Sequence, residues 1–338
     1  MTIDYRSDTV TKPTPTMHEA MMAAPVGDDV FGEDPSINEL EQFAAHLFKM
    51  EAAIYCPSGT MTNQIAIKCH TQPGDEVICD FTSHVYQYEG GGIAFNAGAS
   101  VQLLHGERGL VNAQMVAAGI NADDVHKART SLVCLENTGN RGGGSCYEME
   151  TIRQIRHVCD QQDLALHLDG ARLFNAIVAK NQTAEEYGKL FHSISICLSK
   201  GLGAPVGSLL IGTHEMIKKA RRIRKVFGGG MRQAGFMAAA GTFALKNHVK
   251  RLAEDHQHAQ LLAQALQHKP FVESILPVET NIIIFNVAAP YQPKELVAKM
   301  KEHGILAYAI SVSQIRLVTH LDINPEMIQK TIEVFNQL

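Results

Sequence analysis

Leu164-Ala-Leu-His-Leu-Asp169-Gly-Ala-Arg172 and Ser193-Ile-Ser-Ile-Cys-Leu-Ser-Lys200-Gly201 decide how this chain folds. Leu164, Leu166 and Leu168 alternate along the first segment and Ile194, Ile196 and Leu198 along the second, which is the two-residue period of a β-strand. Each strand runs into a charge, Asp169 in one and Lys200 in the other. A carboxylate and an amine that end nearby parallel strands can converge on one pocket, because ligands of open α/β sheets bind at the carboxyl ends of the strands.

The same rhythm extends outward in both directions. Ala53–Cys56, a helical stretch from Thr60, Glu76–Asp80, Val101–Leu104 and Ser131–Glu136 precede the decisive segments. A helical Tyr147–Gln161 leads into the first of them, and Ser208–Gly212 follows the second. Strands separated by helical crossovers predict an α/β fold with a mostly parallel sheet covered on both faces. After roughly residue 245 the pattern changes to a long helix (Leu245–Gln267), Asn281–Val287, a helix from Pro293, Ile315–Thr319 and a closing helix from Pro325. The expectation is a large domain over residues 1–245 and a smaller α/β domain over 246–338.

With 338 residues, 45% of them hydrophobic, the chain can bury a substantial core. The formal charge of -5 provides no basic field for nucleic acid or an anionic membrane, so a small molecule is the expected partner. Seven cysteines with no CxxC pair argue against both a disulfide framework and a zinc cage. The charged, proline-containing start lacks the apolar core of a secretory signal, and no apolar run is long enough to span a bilayer. A cytoplasmic protein is expected.

Further candidates surround the two strand ends. Pro57-Ser58-Gly59-Thr60 lies between a strand and a helix, where free backbone N–H groups form a phosphate cradle, although Ser-Gly-Thr is also an ordinary helix cap. His84 follows the strand ending at Asp80. Gly228-Gly-Gly-Met-Arg232 combines close backbone approach with a guanidinium suited to an oxyanion, or is simply a flexible turn. Lys218 to Lys225 is a basic run with no obvious acidic partner, the pattern of a solvated helix face. Asp255-His256-Gln257-His258 places its two histidines on different helix faces, which argues against a metal. No GxxxxGK[ST] and no strand-flanked GxGxxG occurs, so nucleotide-binding folds lose their main support.

Taken with Arg6-Ser-Asp-Thr-Val-Thr11, Val26-Gly-Asp-Asp-Val-Phe-Gly-Glu-Asp34, Leu135-Glu-Asn-Thr138, Leu198-Ser-Lys-Gly201, Gly228-Gly-Gly-Met-Arg-Gln233 and Ile315-Arg-Leu-Val-Thr-His320, the chain resembles the threonine aldolases, aspartate-aminotransferase-like enzymes that use pyridoxal 5'-phosphate. That resemblance implies the fold of the type I pyridoxal-phosphate enzymes. It matches Lys200 to the lysine that holds the cofactor covalently, Asp169 to the carboxylate on its ring nitrogen, and Gly59 and Thr60 to its phosphate-binding turn. It matches His84 to the histidine stacked on the ring and His126 to one near the substrate hydroxyl. Ser7, Arg172 and Arg316 match the groups around the substrate carboxylate. Lys225 and Arg232 match residues near the phosphate, partly from a neighbouring subunit. A dimer with shared active sites, paired into a tetramer, is the implied assembly. Gly139 departs from the family, where histidine commonly follows the Glu-Asn-Thr motif.

The implied activity is cleavage of the Cα–Cβ bond of a β-hydroxy amino acid such as threonine, giving glycine and an aldehyde. The cofactor would accept the electrons of that bond, and the protein would bind, charge and orient. The base is open between His84, His126 and a water held by them. Rival readings are a β-eliminating lyase or phenylserine aldolase on the same scaffold, an aminotransferase, and a non-catalytic binding protein that has kept the fold.

Overall fold

The computed structural model describes residues 2–338. Its strands are β1 (Ile3–Asp4), β2 (Ala52–Cys56), β3 (Glu76–Asp80), β4 (Ser100–Leu104), β5 (Thr130–Glu136), β6 (Ala165–Gly170), β7 (Ser193–Cys197), β8 (Ser208–Gly212), β9 (Val272–Ile275), β10 (Ile282–Val287), β11 (Ile305–Leu306), β12 (Tyr308–Ala309) and β13 (Gln314–Val318). A seven-stranded sheet has the order β2-β8-β7-β6-β5-β3-β4, with β5 and β7 buried along their whole length and β6 from Leu166 onward. The apolar alternation seen in the sequence is thus one face of a sheet covered on both sides.

The sheet is parallel except for β8, which runs antiparallel to both neighbours, β2 and β7. The cause is the length of the connection: residues 198–207 join β7 to β8 directly, and a parallel return needs a crossover of a dozen or more residues. Lys200 therefore sits in a hairpin-like loop whose Gly207, at φ +115°, passes so close to Tyr55 that a Cβ would lie 2.3 Å from the phenolic oxygen. Strand order reverses between β3 and β5, which opens a crevice at their carboxyl ends.

The helix Gly59–His70 crosses one face of this sheet, capped by Ser58, whose hydroxyl accepts from the Met61 amide. The helix expected over 245–267 is two, Gly235–Asn247 and Leu252–Leu266. His248 ends the first, and its imidazole bonds the Leu202 carbonyl at 2.7 Å, a tertiary contact that anchors the helix end where the sequence has no glycine or proline. The antiparallel sheet β12-β13-β10-β9 is packed by Leu252–Leu266, Pro293–Glu302 and Pro325–Phe335. Ile3 and Tyr5 join that second core, and β1 pairs with β11 in parallel.

Candidate active site

β5 and β6 end side by side, with Glu136 in register with Asp169. Both carboxyls are buried, and each is held by backbone donors. The Asn140 and His84 amides donate to Glu136 at 2.8 and 2.6 Å, and the Ala171 amide donates to Asp169 at 3.1 Å. Burial and the neighbouring Asp169 charge push the Glu136 carboxyl up to about 7 against those donors. Glu136 thus fastens the start of the His84 helix to the loop that carries Asn140.

His84 leads the short helix His84–Gln87 after β3, and its imidazole Nδ1 lies 2.9 Å from Oε1 of Glu89, whose side chain is wholly buried. Glu89 accepts two further bonds, from Asn63 Nδ2 at 2.9 Å and Gln64 Nε2 at 2.6 Å. Asn63 Nδ2 also lies 3.0 Å from Asp169 Oδ2. Burial alone would lower the His84 pKa, yet the Glu89 bond and the Asp169 and Glu89 charges leave it raised, with Lys200 opposing. One ligand atom each of His84, Glu89 and Asp169 lie within 4.8 Å of one another, and N–H donors from the protein occupy this cluster.

A second group gathers cations. Arg172 donates twice to buried Asp8, from Nε and Nη2 at 2.7 Å each, which leaves Nη1 turned toward Asn140 Oδ1 at 3.5 Å. Arg316 Nη1 reaches the same oxygen at 2.9 Å, Nη2 donates to the Arg6 carbonyl, and its buried Nε has no protein partner. Burial and the Arg172 charge hold the Arg316 guanidinium down at about 10, with Asp8 opposing, so it stays a cation at neutral pH. Asn140 Oδ1 occupies the place an anion would take between the two guanidiniums. Ser7 is nearby in the chain, and its hydroxyl oxygen accepts from Thr9.

Lys200 closes the group. Its carbonyl accepts from Thr11 Oγ1 at 2.9 Å, and its charge is felt at both Asp8 and His84. At Gly59 a Cβ would lie 2.6 Å from Cys197 Sγ, so only glycine lets the helix start this close to the sheet. The Gly59 and Thr60 amides, in the first turn, have no intrahelical acceptor and face outward as donors. The structure therefore brings together Lys200, Asp169, His84, Arg172 and Arg316, with Gly59 and Thr60 at the head of the helix that carries Asn63.

Other expected residues fall elsewhere. His126 lies in the loop before β5, at the opposite edge of the sheet from Glu136; seven strand residues intervene, roughly 20 Å at the usual rise. Its side chain is 87% exposed and bonds Asp124, so it does not join its own chain's site. The basic run also has acidic partners after all, Arg221 with Glu41 and Arg224 with Asp29 at 2.7 Å, and Arg232 beyond it pairs with Asp28 at 2.8 Å. These partners come from the 26–34 and 35–48 segments, too distant in sequence to be read from the run itself. Lys225 and Arg232 have no described bond to Lys200, Asp169 or His84; the glycine loop beside them packs on Met61, within the first turn of the Gly59–His70 helix. His256 bonds Asn175 and Asp255 pairs with Arg251, two separate structural contacts.

A family model described as beta-eliminating lyase matches residues 4–290. The chain belongs to the beta-eliminating lyase family. Within it, a low specificity L-threonine aldolase of Escherichia coli strain K12 is 44% identical over 327 residues, 96% of each chain. Low-specificity L-threonine aldolase 1 of Arabidopsis thaliana is 39% identical, covering 99% of this chain and 96% of its own. A solved structure of Leishmania major threonine aldolase superposes with a TM-score of 0.86 at 20% identity over 99% of both chains, which shows the shared fold.

Members of this family use pyridoxal phosphate, and the residues present fit it. A buried carboxylate suits a protonated ring nitrogen, an amine stands near, the His84 ring is partly open, and a glycine-tight helix start offers N–H groups to a phosphate. Sequence reasoning assigned no role to Asn63, Glu89, Glu136, Asn140 or Asp8. One signal was available for Glu89: it precedes Gly90-Gly91-Gly92, and a Cβ at Gly92 would lie 2.5 Å from the Gln64 side chain. A glycine run after an acid marks a backbone that must approach something closely.

Proposed function

We propose that this chain is a pyridoxal-phosphate-dependent aldolase that cleaves L-threonine, L-allo-threonine and related β-hydroxy amino acids to glycine and an aldehyde, acetaldehyde in the case of threonine. The observation that carries the reading is the pairing of a half-open His84 with the buried Glu89 carboxylate beside Asp169, within reach of the Lys200 charge. When bound, the cofactor supplies the electron sink for the bond that breaks. Lys200 would hold its aldehyde carbon, Asp169 its ring nitrogen, and Gly59 and Thr60, with Lys225 and Arg232, its phosphate.

The remaining chemistry belongs to the protein's side chains. Asn63 and Gln64 donate to Glu89, one on each carboxylate oxygen, and with the carboxylate accepting on all sides His84 Nδ1 is the nitrogen that carries a hydrogen and directs it to Glu89. That leaves His84 Nε2 free to take the proton of the substrate hydroxyl. A raised His84 pKa strengthens it as a base. Arg316 and Arg172 Nη1, with Ser7, take the substrate carboxylate in the place that Asn140 Oδ1 now fills. A guanidinium gripping a carboxylate in two places fixes the rotation about the substrate's α carbon, and so which of its bonds is aligned for cleavage.

Purified protein with pyridoxal phosphate, given the four stereoisomers of threonine, should release acetaldehyde and glycine in equal amounts from the L isomers. Pyruvate and ammonia from serine or cysteine in place of that product pair would overturn the reading in favour of β-elimination. We further propose a dimer with shared sites that pairs into a tetramer, a cytoplasmic location, and division of the chain at residues 245/246. Among the described residues no helix is long and apolar enough to cross a membrane. Separate cores support a two-part chain, with Ile3 and Tyr5 packed into the smaller unit and Leu252 still in the larger core, a few residues past the proposed boundary.

A further inference from the structure

Along the face of the sheet covered by the helix Gly59–His70, the strands are polar where a buried parallel sheet is ordinarily apolar. His167 and Asp169 alternate in β6, Ser193 and Ser195 in β7, and all four are buried. The helix answers with polar groups of its own: Thr62 meets Ser195 at 2.7 Å, Asn63 meets His167 and Asp169, and His70, two turns on, meets Ser193.

The direction of each bond follows from the carboxylates. Asn63 Nδ2 faces Glu89 Oε1 at 2.9 Å and Asp169 Oδ2 at 3.0 Å, and carboxylates only accept, so the amide nitrogen must be on that side. The Asn63 oxygen then faces His167 Nε2 at 3.1 Å, which must carry a hydrogen. Burial and the neighbouring His70 push the His167 pKa down to about 3 against a weaker backbone contact at Ser193, so the ring is neutral and its Nδ1 is bare. Nδ1 accepts the Ser193 hydroxyl hydrogen at 2.8 Å, and Ser193 Oγ accepts from His70 Nε2 at 2.9 Å.

We propose that Asn63 is a positioning residue of the cofactor site, held by a one-way chain of donors, His70 to Ser193 to His167 to Asn63, that ends on Asp169 and Glu89 and keeps both carboxylates aimed. The inference rests on reading Asp169 as the partner of the cofactor ring nitrogen. Without the bridging amide two buried carboxylates would confront each other, and one would take up a proton. A protonated Asp169 could no longer pair with a cationic ring, and a protonated Glu89 would release His84. No proton passes along the chain; its members only donate.

Neutron diffraction from deuterium-exchanged crystals reads the chain directly, with or without cofactor. Deuterium on His167 Nε2 and not on Nδ1 is the expected result; a doubly deuterated ring, or deuterium on Nδ1 alone, overturns the proposal. In cofactor-loaded protein, Asn63→Leu should weaken cofactor binding on the order of 10–100-fold, as for loss of a hydrogen bond to a charged group, and move the pH midpoint of the bound cofactor's visible absorbance. His167→Leu should act in the same direction, while His167→Gln, whose side-chain amide can donate in place of Nε2, should stay near the parent in both readouts. Equal behaviour of the Leu and Gln variants would reduce His167 to packing and overturn the proposal. The His167 pair decides the matter if Asn63→Leu does not fold. Failure of the parent protein to bind pyridoxal phosphate would count against the proposed function, with the deuterium positions still deciding the chain.

Discussion

His84 and Glu89 form an imidazole–carboxylate pair at 2.9 Å in which the carboxylate is wholly buried and the imidazole remains 31% exposed. The buried partner is closed off by Asn63 and Gln64, so the pair has one free end, His84 Nε2, on the short helix that follows β3, the strand that borders the crevice with β5.

Because Glu89 and Asp169 raise the His84 pKa, Glu89→Gln should lower it. A base works only once deprotonated, so the acid limb of the kcat/KM profile for threonine should move to lower pH, together with a slower proton-transfer step. The pH–rate profile, paired with an NMR titration of His84, checks this. An unmoved acid limb would assign the base elsewhere.

Lys200→Ala should abolish the visible absorbance of covalently held pyridoxal phosphate while the far-ultraviolet circular dichroism stays unchanged. Lys200 lies in the loop between β7 and β8 and contributes no side-chain packing to either hydrophobic core. Retained absorbance would place the cofactor lysine elsewhere.

Arg316→Lys should raise KM and lower kcat together. Arg316 presents Nη1 to the place of the substrate carboxylate while Nη2 holds the Arg6 carbonyl, and a lysine, with a single point charge, cannot keep both donors in one plane. Steady-state kinetics with threonine separates the two parameters; a change in KM alone would mean that Arg316 binds without orienting.

The Asp8–Arg172 pair should show in acid stability. Burial would raise the Asp8 pKa, but Arg172 and Lys200 hold it down at about 2, below the ordinary aspartate range. A depressed carboxyl pKa adds stability that is complete above the unfolded value and is lost as pH falls through the folded one. This group should therefore contribute about 2 kcal/mol that disappears between about pH 4 and pH 2. Denaturant titrations across that window, on the parent and Asp8→Asn, should show the extra acid loss only in the parent.

Mixing Lys200→Ala with Arg232→Ala should regenerate activity if Arg232 serves a partner's site, because one site of each hybrid dimer then receives both intact residues. In its own chain Arg232 pairs with Asp28 and has no described bond to Lys200, Asp169 or His84. With subunit exchange verified and each single variant inactive, no gain in the mixture would confine Arg232 to its own subunit.

The sequence by itself determined the order of the elements and the two strand ends. Period-two alternation in 164–169 and 193–199 sets the buried strands, and the rule that parallel sheets bind at their carboxyl edge makes Asp169 and Lys200 legible with no coordinates. Long motifs carried Arg172 and Arg316 as well, and His84 was legible as the histidine after the strand that ends at Asp80. Tertiary structure alone decided what those residues touch. The reversal of β8 follows from a loop too short for a crossover, and the helix end at His248 is anchored by a bond to Leu202, a carbonyl distant in sequence. His126 stands at the amino edge because its loop precedes β5. Asn63 was invisible, and Glu89 marked only by the glycine run after it, because hydrogen-bond partners across a sheet and a helix are set by register and packing, not by spacing along the chain. The polar members of β6 and β7 are written in the sequence as plainly as the leucines between them, but only the helix laid over them turns that row into a directed chain ending on Asp169.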